Sequence, residues 1–166
     1  MNIFATYDSP IDSALALDDI RMNKMIVESA QMLSTALAFN AFFHADLYKP
    51  CYENHPCTVW TRKSRKNFLW LCNHAMAMCA IFRMINGYSH KTERVIDLAS
   101  KNSIKVREGE LTEFADCTTF KHRTDIPVID RYKLFMNEKW DNDVIKLTFK
   151  RRSIPSFMVN TGKVVM

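Results

Sequence analysis

Four polar residues recur at spacings of three, four and three in LDDIRMNKMIVESAQML (residues 17–33): Arg21, Lys24, Glu28 and Gln31. At 3.6 residues per turn they share one stripe of a helix, opposite a core face of Leu17, Ile20, Met25, Ile26, Met32 and Leu33. A carboxylate held among cations and an amide is a candidate acid–base group. The same pattern describes a solvated face carrying a Lys24–Glu28 pair worth about 0.3–0.5 kcal/mol, and spacing alone favours that plainer reading. A second candidate is His55-Pro56 followed by Trp60. His55 stands where the free N–H groups of a helix start attract anions, or it is a cap with an aromatic packed behind it. Arg62, Lys63, Arg65 and Lys66 form a basic knot that suits phosphates, or a solvated face; a second knot is Lys146, Lys150, Arg151 and Arg152. His122, in FKHR, lies in an irregular stretch, where binding residues collect. His74 reads as a satisfied core histidine, and Tyr132 as a residue that stacks or packs. Cys51 and Cys57 flank His55, but no CxxC pair accompanies them, so no metal site is expected.

These residues need elements to hold them. Residues 2–7, NIFATY, read as an extended lead-in or a single strand. Ser9-Pro10 is a strong helix start, with Ser9 as cap and Pro10 at the first helical position. No Gly or Pro interrupts the helix before about Phe39. Residues 44–56 hold two prolines and form a loop. Pro56 opens a second helix with no breaker before Gly87, basic in its first half and apolar in its second. A third helix is expected over about Lys91–Ser100, capped from Ser89 or His90. A fourth is expected over about Pro127–Trp140, with Asp125 as candidate cap. Residues 101–125 lack periodicity, and so long an irregular connection is usually functional or mobile. Residues 144–149 alternate as a short strand or a last helical turn, and the tail from Asn160 is expected to fray. The fold expected is therefore mainly α. It is a single domain over residues 1–166 with two long central helices, a short extended N-terminal segment and a long irregular connection.

Composition agrees. The 166 residues are 48% hydrophobic and 25% charged, enough for one well-buried core. Three glycines against ten methionines favour helix over a turn-rich β fold. No apolar run approaches the ~20 residues of a membrane span, and no leader pattern opens the chain. The odd count of five cysteines points to reduced thiols, hence a cytoplasmic setting. The net charge of +5 is modest, but its clustering is compatible with nucleic acid. No GxGxxG, Walker A, HExxH, nucleophile-elbow or EF-hand pattern is present, which removes support for nucleotide hydrolysis, nicotinamide chemistry and zinc proteolysis.

The order MNIF, ALALDDIRMNKMIVESAQML, NHPCTVW, then a long helix with His74 and Cys79, resembles pyrimidine-dimer DNA glycosylases of the phage endonuclease V type, in a bacterial and phage branch. Leu17, Asp18, Arg21, Lys24, Glu28, Gln31, His55, Pro56 and Trp60 carry the likeness. It is good over residues 1–85 and weak over 131–157. The resemblance implies a base-excision glycosylase and abasic lyase whose nucleophile is the N-terminal amine, supported by a glutamate that falls at Glu28. Asn2 is too large for removal of the initiator methionine to be expected, so the amine would be that of Met1, one residue or about 3.8 Å of chain from the family's position. Gln31 stands where the family has arginine. An α-amine has a reference pKa of ~7.7–8.0, so a neutral fraction exists near pH 7. A carboxylate beside it can move the protons that imine chemistry needs. DNA is then the expected partner, contacted through Arg21, Lys24, Gln31, His55, Trp60, Arg62, Arg65, Lys66 and His122. Neither cofactor nor membrane is involved, and a monomer is expected, in a bacterial host cell if the protein is phage-encoded. Two alternatives remain: a non-catalytic DNA- or protein-binding module on the same fold, or an enzyme acting on modified phage bases without excision.

Overall fold

Ser9 and Pro10 start the first helix as their chemistry requires. Ser9 Oγ accepts from the Asp12 N–H at 3.2 Å, and Pro10 occupies the first turn of α1, Pro10–Leu15. The structure is a computed structural model describing residues 1–165. It is all-helical, with α2 over Asp19–Phe39, α3 over Pro56–Lys63, α4 over Arg65–Asn86, α5 over Glu93–Lys101 and α6 over Val128–Asn142. No strand forms among the described residues: the lead-in is unpaired and turns at Asn2–Thr6, and residues 144–149 contribute one isolated bridge, Leu147 to Val164.

Two expected long helices are each broken once. The break between α1 and α2 falls at Ala16–Asp18, although neither Gly nor Pro is present. Asp18 adopts an extended backbone and its carboxylate accepts from Arg21 N–H at 3.0 Å, an N-cap that restarts the helix. Leu17, in the break, is wholly buried. The second break is at Ser64 (φ −152°, ψ 157°), whose Oγ accepts from Asn67 N–H and starts α4. Asp and Ser compete well for such positions because their short side chains replace a missing backbone acceptor. α5 begins at Glu93, without a side-chain cap on its first residue, and α6 begins after Pro127 while Asp125 pairs instead with Arg123.

α4 is central and packs on α1, α2, α3 and α5. It is long and apolar enough by composition to cross a bilayer, contrary to the sequence expectation, yet half of its apolar window is buried inside the protein. Phe68, Leu71, Cys72, Ala75 and Met78 of α4 meet Ile26, Leu33 and Leu37 of α2 in one core. Each such side chain contributes about 1.5–3 kcal/mol by leaving water. His74 is fully buried and stacks on Trp70 at 5.1 Å; the Ser13 backbone is the polar group beside its ring, and no well-formed hydrogen bond reaches either nitrogen, so it is a core histidine less satisfied than expected.

The irregular segment 106–127 is stitched down by polar bonds. Arg65 N–H donates to Arg107 O at 2.7 Å, Ser64 Oγ–H to Glu110 O at 2.7 Å, and Asn67 exchanges bonds with Thr112 at 2.9 Å in both directions. Gly109 permits this approach, since a Cβ there would stand 3.0 Å from Ser64 Cβ. Farther along, Tyr132 O–H donates to Ala115 O at 2.6 Å and Arg131 pairs with Asp116 at 2.8 Å. The C-terminal stretch is tied too, against expectation: Leu147 N–H donates to Lys163 O and Val165 N–H to Leu147 O.

Candidate functional site

The lead-in is a buried thread rather than a free end. Asn2, Ile3, Phe4, Ala5 and Thr6 are all buried. Asn2 organises the turn: its Oδ1 accepts from the N–H groups of Ile3 (2.8 Å) and Phe4 (3.0 Å), and its Nδ2 donates to Cys117 O at 3.3 Å. Phe4 takes a positive φ of 41°, a costly conformation for an aromatic residue that its packing on Tyr132 and Phe135 holds in place. Thr58 O–H of α3 reaches the Met1 sulfur at 3.8 Å.

This anchoring sets Met1 N 3.6 Å from Glu28 Oε2. The Met1 side chain is only 3% exposed, while the residue as a whole is half-buried, so its exposure belongs to the main-chain end that carries the amine. Glu28 is 12% exposed, and its Oε2 is buried with no hydrogen-bond partner. Its Oε1 lies 3.5 Å from Lys24 Nζ on an otherwise solvent-facing side chain. Unsatisfied buried carboxylate oxygens are rare because each forgoes its hydration. Lys24 and Glu28 are therefore not a plain solvated pair: Lys24 stands in solvent, while Glu28 is mostly buried beside the Met1 amine.

His55 completes this neighbourhood. It caps α3 by accepting from Cys57 N–H at Nδ1, 3.2 Å. Burial lowers its pKa, and the positive charge of the N-terminal amine lowers it further, against a partly offsetting pull from Glu28 and with a smaller push from Lys121. The imidazole is thereby kept as a neutral hydrogen-bonding group. Two cysteines close the site. Cys57, buried in the first turn of α3, donates through its thiol to Cys117 Sγ at 3.3 Å. That bond pulls the Cys117 thiol down, with Lys121 adding to the effect.

Other expected DNA contacts are placed elsewhere. Arg21 leaves the stripe: it pairs with Asp18 and Asp143, each at 2.7 Å, and is 15% exposed, a structural clamp rather than a ligand for phosphate. Trp60 cannot support an extruded base, because it is 4% exposed and packed on Trp70 and Phe114. Arg65 donates to the carbonyls of Val106 and Ile104, and Lys66 pairs with Glu110. Arg62 lies over the Phe39 ring at 4.1 Å and donates to Glu53 O at 2.5 Å. The basic knot is thus largely spent on binding its own chain. Within the second knot, Arg152 pairs with Asp19 at 2.7 Å. Gln31 is half-buried, and its side chain makes no hydrogen bond among the described residues. His122 is exposed beside Phe120, 6.2 Å between rings.

The structure therefore brings together Met1, Asn2, Lys24, Glu28 and His55 of the sequence candidates with Cys57, which the sequence sets beside His55, and adds Cys117 and Lys121. Lys121 is the immediate neighbour of His122, the residue of FKHR that the sequence singles out. Cys117 carries no local signal; only folding sets it beside Cys57, 60 residues away. Compared with protein-family models, curated proteins and solved structures, the chain matches none significantly.

Proposed function

We propose that this protein processes DNA by excising a damaged or modified pyrimidine base, with the Met1 amine as nucleophile and Glu28 as its acid–base partner. The single observation that carries this reading is the amine 3.6 Å from a buried, otherwise unpartnered carboxylate oxygen. The neutral amine attacks C1′ of the sugar, the C1′–N bond to the base breaks, and the base leaves with the electron pair. The nitrogen sheds its protons as the sugar ring opens to an imine; one proton reaches the departing base and one the ring oxygen. Glu28 is placed to carry both, and to stabilise the cationic iminium. Elimination of the 3′ phosphate follows, and water releases the protein. His55 is a further polar group beside the amine and Glu28. The resemblance drawn from residues 1–85 supports the same chemistry.

Borohydride reduction tests it. With oligonucleotides carrying an abasic site or ultraviolet photoproducts, reduction of the imine leaves a stable protein–DNA adduct. Peptide mapping is expected to place that adduct on the N-terminal peptide, with intact mass showing a free Met1 amine. No adduct with either substrate, or an adduct on a lysine, refutes the assignment.

A further inference from the structure

His55, Cys57 and Cys117 each turn a donor atom towards the others: one ring nitrogen and two sulfurs all lie within 4.8 Å of one another. We propose that these three residues bind a single thiophilic divalent metal ion, with Zn²⁺ as the ion the donor set suits best.

Three features of the site point to this. First, the donors converge from two pieces of structure remote in sequence. His55 is the cap residue of α3, Cys57 lies in its first turn, and Cys117 lies in the irregular segment stitched against Ser64, Asn67 and Tyr132. Second, the chemistry balances. Two thiolates and one neutral imidazole cancel the charge of a divalent cation, which suits a site whose Cys57 is fully buried, and binding releases the two thiol protons to solvent. A neutral imidazole has one lone pair, so ligation by His55 replaces the bond that its Nδ1 now accepts from Cys57 N–H. Third, the distances are near those of a zinc site. Zn–S bonds of about 2.3 Å at tetrahedral angles separate two sulfurs by about 3.8 Å. The thiols stand at 3.3 Å, so the metal needs them to part by roughly half an ångström. Cys117, outside any helix, is the side that can yield. Three protein donors leave a coordination position open, the pattern of metal sites that also hold water or substrate.

Cys51, the thiol the sequence set beside His55, takes no part. Its backbone is bound to Thr35 Oγ1 on the other side of the loop, N–H and C=O each at 3.1 Å. That makes it an internal control.

The test uses the tag-free full chain without DNA, so it succeeds or fails independently of the excision chemistry. Protein purified without chelator and gel-filtered is expected to retain one equivalent of zinc by elemental analysis. Replacement by Co²⁺ is expected to give thiolate-to-metal charge-transfer bands and visible bands of tetrahedral intensity. Cys117→Ser, at a half-exposed position, is expected to weaken Zn²⁺ binding by at least about 100-fold, beyond the 10–100-fold cost of losing an outer-shell partner. His55→Ala should behave likewise, and Cys51→Ser should bind as the parent does. The proposal is overturned if the parent protein retains no zinc and shows no cobalt–thiolate bands, if Cys117→Ser binds Zn²⁺ as tightly as the parent, or if anaerobically purified, metal-free protein proves to hold a Cys57–Cys117 disulfide.

Discussion

Replacing Glu28 by Gln separates a catalytic carboxylate from a structural one. The change keeps shape and volume and removes one negative charge. That charge stands 3.6 Å from the Met1 amine and 3.5 Å from Lys24 Nζ. At an effective dielectric of about 20, a pair at that separation interacts by roughly 4–5 kcal/mol before desolvation is counted. Most of this is offset, because the carboxylate is nearly buried and its Oε2 lacks hydrogen bonds, while the Lys24 pair is exposed at 72% and worth at most about 1 kcal/mol. The net effect on folding is therefore small, under about 1 kcal/mol, which is a Tm shift of no more than about 2–4 °C for a chain of this size. The effect on chemistry is large, because loss of a positioned acid–base group costs about 10²–10⁴-fold. Single-turnover borohydride trapping on abasic DNA, run beside thermal unfolding, reads both quantities. Trapping at the parental rate refutes the role given to Glu28. A Tm fall of 10 °C or so, by the same conversion, would show the carboxylate to be structural instead.

Other perturbations follow from the same packing. Asp18 is wholly buried and accepts from Arg21 N–H, pairs with the Arg21 guanidinium and accepts from Trp140 Nε1–H at 3.0 Å. Asp18→Ala is expected to cost about 3–5 kcal/mol, because it strands a guanidinium and an indole N–H together with the cap; urea unfolding measures it. His74 is fully buried with its pKa pushed down to about 3 from 6.5 by desolvation. A depressed histidine means the unfolded chain takes up the proton first, so stability is fully present above about pH 6.5. It is lost at about 1.4 kcal/mol per pH unit as pH falls towards 3. His74→Leu is expected to flatten that acid limb relative to the parent; parallel pH–stability curves would contradict it. Lys24→Ala and Lys121→Ala are each expected to weaken DNA binding about uniformly across sequences and to lower the salt slope by about 1, whereas Arg21→Ala should act on stability. Fluorescence anisotropy over a salt series distinguishes the two behaviours.

Much of the architecture is legible in local chemistry. Ser9-Pro10 and His55-Pro56 start helices where they should, because capping and the fixed φ of proline act within a few residues. The apolar run from Phe68 to Met78 becomes the core of the longest helix, since its period already matches 3.6. The breaks at Asp18 and Ser64 were not visible in the same way. Either residue is tolerated inside a helix, and it becomes a cap only when a distant partner rewards the extended backbone: the Trp140 indole for Asp18, the Glu110 carbonyl for Ser64. Charge was the most misleading signal. A basic residue written in sequence looks free, yet Arg21, Arg65 and Lys66 are bound to acceptors supplied by later segments.

The candidate site divides along the same line. The stripe of Lys24 and Glu28, and the place of His55 at the head of α3, were determined by sequence alone, since helical periodicity and capping are short-range. Tertiary structure decided what those groups face. The buried Asn2 turn brings Met1 across α2 to Glu28, and the segment after α5 brings Cys117 to Cys57. Both approaches depend on contacts between remote parts of the chain. Their energy comes from burying Ile3, Phe4 and Tyr132 in a shared core, which no local spacing records.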